Sequence, residues 1–207
     1  MTALSRWLAR CFEWMLLGIA IGCFGTYAYE TVATRRFQAE QVAAFERAAK
    51  TSAAVSTVRQ GGLLGMLDVP RLKFSTPVIQ GDDTGILKRA VGHLPDTPMP
   101  WEDGNSAVAG HRDGLFRPLK DVKVGDEIRF RTTRDQFRYR VTKTAIVLPD
   151  DVSVLKKRDR STLTLITCYP FYYVGAAPQR FVIHAERVPL ATSSAGTRHP
   201  APGTVAF

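Results

Sequence analysis

The chain has 207 residues, 45% of them hydrophobic and 23% charged, enough to bury one ordinary core and too few for two. Its formal charge of +9 admits nucleic acid or an anionic surface as partner, because clustered Lys and Arg concentrate polyanions. The basic residues of 129–143 and 156–160 alternate with Thr, Phe, Tyr and Asp as on a solvated strand face, and no nucleic-acid motif accompanies them, so no nucleic-acid partner is expected.

The first element is an uncharged run at 14–29 (WMLLGIAIGCFGTYAY), preceded by Arg6 and Arg10. At 1.5 Å per residue it extends about 24 Å, and Cys11 and Phe12 lengthen it towards a bilayer core of about 30 Å. Trp14 and Tyr29 suit the two interfaces. We therefore expect residues 1–30 to be a transmembrane anchor in the cytoplasmic membrane, single-pass, with the rest of the chain outside. A cleaved signal peptide, with Thr26-Tyr27-Ala28 as a weak processing site, is the competing reading. Residues 31–60 are rich in Ala, Gln, Glu and Arg, with Phe37, Val42 and Phe45 too sparse for a core, and read as a helical stalk. Residues 191–207 (ATSSAGTRHPAPGTVAF) read as a disordered tail.

Between them, residues 61–190 carry short apolar runs broken by turn signals such as Gly81-Asp82-Asp83 and Asp103-Gly104-Asn105. Strands are expected at 65–69, 76–80, 106–109, 127–132, 137–148, 161–168 and 180–188, with one short helix at 85–91. Seven β-rich segments at this spacing predict an all-β sandwich or barrel.

Cys11, Cys23 and Cys168 are all the cysteines, and the first two sit beside or within the apolar run, so Cys168 lacks a disulfide partner. The absence of a CxxC pair removes structural zinc and thioredoxin-like chemistry, and no acidic cluster assigns calcium; no metal or cofactor is expected. In Ser161-Thr-Leu-Thr-Leu-Ile-Thr-Cys168, alternation puts Thr164, Ile166 and Cys168 on one face and Leu163, Leu165 and Thr167 on the other. A thiol ending a strand is where a scaffold can present a nucleophile, although a single Cys is more often an inert buried thiol. His111 follows Ser106-Ala-Val-Ala-Gly110 and precedes a turn, where an imidazole could exchange protons in thiol acyl transfer. Arg180 opens the last strand, and its permanently charged fork of donors could hold an oxyanion.

Taken together these segments resemble the sortase family. Thr164-Leu-Ile-Thr-Cys168 looks like its TLxTC signature, Ala109-Gly-His111-Arg-Asp like its histidine loop, and Arg180 follows the Cys as the family arginine does. Tyr169-Pro170-Phe171 with Ala177-Pro178-Gln179-Arg180 is most similar to class D-like sortases and their relatives in Gram-negative bacteria. The resemblance covers roughly residues 65–188, and departs from the relatives in the loop 96–105.

What the resemblance implies is a closed eight-stranded β-barrel with one or two short helices, and a cysteine transpeptidase. Cys168 would attack the Thr carbonyl of an LPXTG-like sorting signal, His111 would serve as acid and base, and Arg180 would hold the oxyanion. Thr167, His93 and Thr164 are expected to contact substrate, with a structural role in the turn Gly92-His-Leu-Pro95 equally open for His93. The partners implied are secreted proteins with a C-terminal sorting signal and an amine acceptor, in peptidoglycan or on a pilin-like lysine. A hydrolase of the same acyl-enzyme, or an anchored β-barrel binding module without turnover, are the alternatives.

Overall fold

The computed structural model describes residues 3–51, 59–173 and 175–189, and the tail expected at 191–207 lies outside them. Eight strands close into one barrel: β1 (Leu63–Val69), β2 (Phe74–Gln80), β3 (Val91–His93), β4 (Asn105–Gly110), β5 (Glu127–Arg131), β6 (Gln136–Val147), β7 (Thr162–Tyr169) and β8 (Gln179–Arg187). Around the barrel the order is β1-β2-β3-β4-β7-β8-β6-β5, with β5 returning to β1. The pairs β2–β3 and β4–β7 are parallel and the others antiparallel.

Period-two alternation accounts for the core. In β5 Ile128 and Phe130 point inward and are fully buried, while Glu127, Arg129 and Arg131 point outward. Leu67, Val108, Leu163, Leu165 and Ile183 fill the same interior. The buried Tyr139 donates its hydroxyl to the carbonyl of Pro100, and burial pushes its pKa up to about 12. The outward basic residues are ion-paired: Arg129 with Glu127 along β5, and across strands Arg138 with Glu127 and Arg131 with Asp68 at 2.5 Å. That is the solvated face the basic alternation predicts.

The segment 85–91 differs from its reading as one short helix. A helix, α2 (Thr84–Leu87), starts where Asp83 accepts from the N–H groups of Gly85 and Ile86 at 2.9 and 3.0 Å, but it lasts four residues. Val91–His93 is instead the strand β3, buried throughout and paired with β2 and β4. A side chain at Gly92 would stand 2.2 Å from the carbonyl oxygen of Gly81, so this close approach requires glycine. Three residues are too few to carry a strand period.

Ahead of the barrel, α1 (Ala3–Thr51) is a single unbroken helix whose 49 residues span about 74 Å. By length and composition it is able to cross a membrane, and none of its apolar window is buried. Further on it turns one face to the barrel: Ala28, Thr31, Thr34, Phe37, Gln38, Val42 and Phe45 recur every three or four residues and are at least partly covered. Phe45 is buried under the Arg131 guanidinium, 5.7 Å from its ring centre, and the Gln38 carboxamide donates to the carbonyl of Arg89 at 3.3 Å. The stretch read as a stalk thus packs along the barrel wall.

Candidate active site

Three adjacent strands end or begin at one place. β7 lies between β4, parallel to it, and β8, antiparallel to it. In this register Cys168 stands directly opposite Arg180, and Thr167 stands beside Gly110. Directly opposed residues of an antiparallel pair share a face, so the thiol and the guanidinium emerge together. His111 is the first residue beyond Gly110, level with Cys168 on the neighbouring strand. Cys168 and Arg180 are half-buried and His111 is exposed.

Local contacts fix the three positions. The Thr167 hydroxyl donates to the Gly110 carbonyl at 2.7 Å and locks β7 to β4 one residue before both side chains. The His111 carbonyl accepts from the Phe116 N–H at 3.1 Å and turns the chain back over the barrel mouth. There the buried Phe116 ring leaves no room for a side chain at Gly110, whose Cβ would come within 2.9 Å of it. Arg180 donates through Nη1 to the carbonyls of Gln179 and Ala177 at 3.1 and 3.3 Å. Tyr169, Phe171 and Phe181 stack edge-on or tilted beside it, with centroids 5.4 to 6.4 Å apart.

Arg112, to which the sequence assigned no role, is 5% exposed and clamps the two loops of the site together. Its Nη2 donates to the carbonyls of Tyr173 and Gly175 at 2.6 and 3.0 Å, and its guanidinium lies 5.7 Å from the Tyr173 ring centre. The histidine loop is thereby tied to the β7–β8 loop. No sequence spacing reveals this, because the partners lie 61 and 63 residues away.

Three residues expected at substrate sit inside. Thr167 is 3% exposed, and its hydroxyl serves Gly110. His93 is fully buried, its Nδ1 2.9 Å from Gln80 Oε1 and its Nε2 3.0 Å from the carbonyl of Pro98; burial lowers its pKa. Thr164 is also fully buried. It donates to Asn105 Oδ1 at 2.6 Å and lies 3.0 Å from Nδ1 of His184. Because the Thr164 proton is committed to Asn105, the His184 Nδ1 donates, and Nε2, 3.5 Å from the donor-only Arg158 Nη2, is left as the acceptor of a neutral ring. Burial, with Arg158 and Lys143 nearby, lowers the His184 pKa to about 4. Asn105 in turn donates to the carbonyls of Val154 and Lys156 at 2.9 and 3.2 Å. Alternation places Thr164 on the Cys168 face correctly, but a covering turn, Val152–Leu155, closes that part of the face to solvent.

Under that turn runs a cavity of about 170 Å³ lined by Leu94, Val154, Leu155, Ile166, Val182 and Arg180. It is largely apolar, with Arg180 among its lining residues. On the other side His111, Asp113 and Leu115 line a wider cleft with Tyr27, Glu30, Thr31 and Arg35 of α1. Among the described residues no group of three His, Cys, Asp or Glu is placed to hold a metal ion.

A sequence model of the sortase domain matches residues 67–188, more than half of the chain. Sortase D of Bacillus subtilis is 38% identical over 129 residues, which span 62% of this chain and 65% of that protein, so the chain spans less than two thirds of its length. The structure of a Clostridium perfringens sortase D5 transpeptidase aligns with a TM-score of 0.63 at 26% identity, over 75% of this chain and 98% of the other. A Clostridium perfringens sortase C solved with the C-terminal cell wall sorting motif aligns with a TM-score of 0.59 at 25% identity, over 73% and 87%. The class D-like resemblance seen at residues 169–171 and 177–180 agrees with the Bacillus match. The chain belongs to the sortase family.

Proposed function

We propose that the chain is a membrane-anchored cysteine transpeptidase that cuts an LPXTG-like sorting signal after its Thr and passes the acyl group to an amine. The observation that carries this is the register that pairs Cys168 with Arg180 and sets His111 one residue past the Gly110–Thr167 pair. The Cys168 thiolate adds to the Thr carbonyl carbon. Arg180 exchanges its weak bonds to loop carbonyls for the developing oxyanion, the group whose charge grows most in the step. As the C–N bond breaks, His111 gives its proton to the departing amine and a thioester remains on Cys168. An incoming amine attacks the thioester, His111 takes its proton, and the thiolate leaves. Thr167 supports the pair through Gly110, and Thr164 and His93 hold the surrounding frame.

The apolar cavity that Arg180 helps to line fits the Leu-Pro portion of such a signal, and a sorting motif is present in the Clostridium perfringens sortase C complex. The substrates would be secreted proteins carrying a C-terminal sorting signal. The acceptor would be a peptidoglycan or pilin-like amine, reached from the His111 side. Residues 1–30 would anchor the chain once through the cytoplasmic membrane, residues 31–60 would join them to the domain of 61–190 outside it, and 191–207 would form a tail.

Incubating the full chain with a set of Leu-Pro-X-Thr-Gly peptides, with and without glycylglycine, tests the proposal by product mass. Transfer product with amine, and a Cys168-bound acyl mass on rapid quench, are expected, and both vanish in Cys168→Ala. Hydrolysis alone, with amine present, would reassign the chain as a hydrolase. An unreactive Cys168 in a folded domain would reduce it to a binding module.

A further inference from the structure

We propose that the catalytic end of the barrel faces the lipid headgroups and touches them through Tyr172, Tyr173, Arg117 and Lys120. The proposal rests on the membrane-anchor reading of α1. Two independent placements lead to it. The apolar run ends at Tyr29, and the loop that carries His111 borders a cleft lined on α1 from Tyr27 through Thr31 and Arg35 to Gln38. A helical turn rises about 5.4 Å, and the polar layer of a bilayer is about 5–8 Å thick on each side. The near end of that cleft, at Tyr27 to Thr31, therefore lies at the headgroups, and its far end, at Gln38, about 14 Å past Tyr29.

The second placement is chemical. Directly after that loop, the turn Arg117–Asp121 presents Arg117 and Lys120, each stacked on the ring of Tyr172 at 5.7 and 5.6 Å. Lys120 Nζ also donates to the Tyr172 hydroxyl at 3.0 Å. Tyr172 is 71% exposed and Tyr173 46%. Asp121, 3.7 Å from Lys120, offsets one of the charges. Aromatic rings with a polar edge, set among cations, are the composition that favours an anionic membrane surface. Arg112 clamps the Tyr173 backbone to the histidine loop, so this patch and the candidate active site keep one level. Arg35 and Arg36, exposed on α1 about 9 Å past the end of the apolar run, add charge at the outer edge of the headgroup layer.

The full chain is reconstituted in phosphatidylcholine vesicles containing about 30% phosphatidylglycerol, with benzoylphenylalanine placed at Tyr172 or, at the opposite end of β7, at Arg160. Illumination should give lipid adducts at 172 at least five-fold above those at 160. The double variant Arg117→Glu with Lys120→Glu should lower the 172 yield at least three-fold while the protein still floats with the vesicles. Equal adduct yields at the two positions in floating protein overturn the proposal and leave the anchor intact. Failure to float overturns the anchor reading, and this proposal with it.

Discussion

His184 is a buried imidazole held neutral, and its cost on protonation is readable from the hydrogen-bond chain around it. Its pKa falls from 6.5 to about 4, first through burial and then through Arg158 and Lys143. In the unfolded chain His184 regains its ordinary value, so between pH 6.5 and 4 the unfolded state binds the extra proton and the folded state does not. Stability from this group is therefore complete above pH 6.5 and declines as pH falls towards 4. At about 1.4 kcal/mol per pH unit the loss approaches 2 kcal/mol at pH 5 and 3 kcal/mol near pH 4. Carboxylates titrate in the lower part of this window, so the assay is a difference: urea unfolding at pH 7.5, 6, 5 and 4.5 for the parent and for His184→Asn. Asn keeps a donor towards Thr164 and removes the titration. The parent should lose about 2 kcal/mol more than the variant between pH 7.5 and 5. Parallel pH profiles would refute the reasoning, as would an NMR titration of His184 in the folded protein with a midpoint near 6.

Arg112→Lys replaces a two-pronged donor by a point charge and should slow labelling of Cys168 by a peptide vinyl sulfone about ten-fold with the thermal midpoint little changed, since it loosens the clamp between the two loops. Unchanged labelling would separate the clamp from the chemistry. Gly110→Ala should destabilise by about 1–3 kcal/mol in urea unfolding, through the clash with Phe116, and Phe116→Leu in the same chain should recover part of it. The Asp126 carboxylate, 9% exposed, is held below its ordinary pKa by the Arg71 guanidinium, with oxygens 2.5 and 2.6 Å from the donors. Its stabilisation is present above the unfolded carboxylate pKa and is lost as pH falls below it. Asp126→Asn should accordingly lower the thermal midpoint at pH 7, by an amount that shrinks as pH falls through the depressed carboxylate pKa.

The seven longer strands were legible because β-branched and aromatic runs broken by turn signals mark them; β5 alone also writes a clean two-residue burial period, while β1, β2, β4 and β7 are buried on both faces. β3 was not, since three residues cannot show a period, and its identity comes from pairing with β2 and β4. The candidate trio Cys168, His111 and Arg180 was named from motif and order alone, and the strand order β4-β7-β8 is what brings the three positions to one end of the barrel. Thr164 marks the limit of alternation, which assigns a face without saying what covers it, and His93 the limit of resemblance, which names a residue without its burial. For Thr164 the cover is Asn105, His184 and the turn Val152–Leu155; for His93 it is Gln80 and the loop to Pro98. The stripe from Ala28 to Phe45 is sparse because a helix needs few apolar residues to lie along a barrel already complete.

The Asn105 carboxamide deserves a last consideration, because its two donors end on the carbonyls of Val154 and Lys156, in the roof of the apolar cavity. A roof formed by four loop residues would cost on the order of 4–8 kcal/mol of backbone entropy if it had to be ordered by each arriving peptide. Here that ordering is complete before any peptide arrives, through a relay that runs from β8 across β7 to β4. The groove then acts as a fixed mould, spending little of a ligand's interaction energy on its own rearrangement and rejecting shapes it would have to deform to accept.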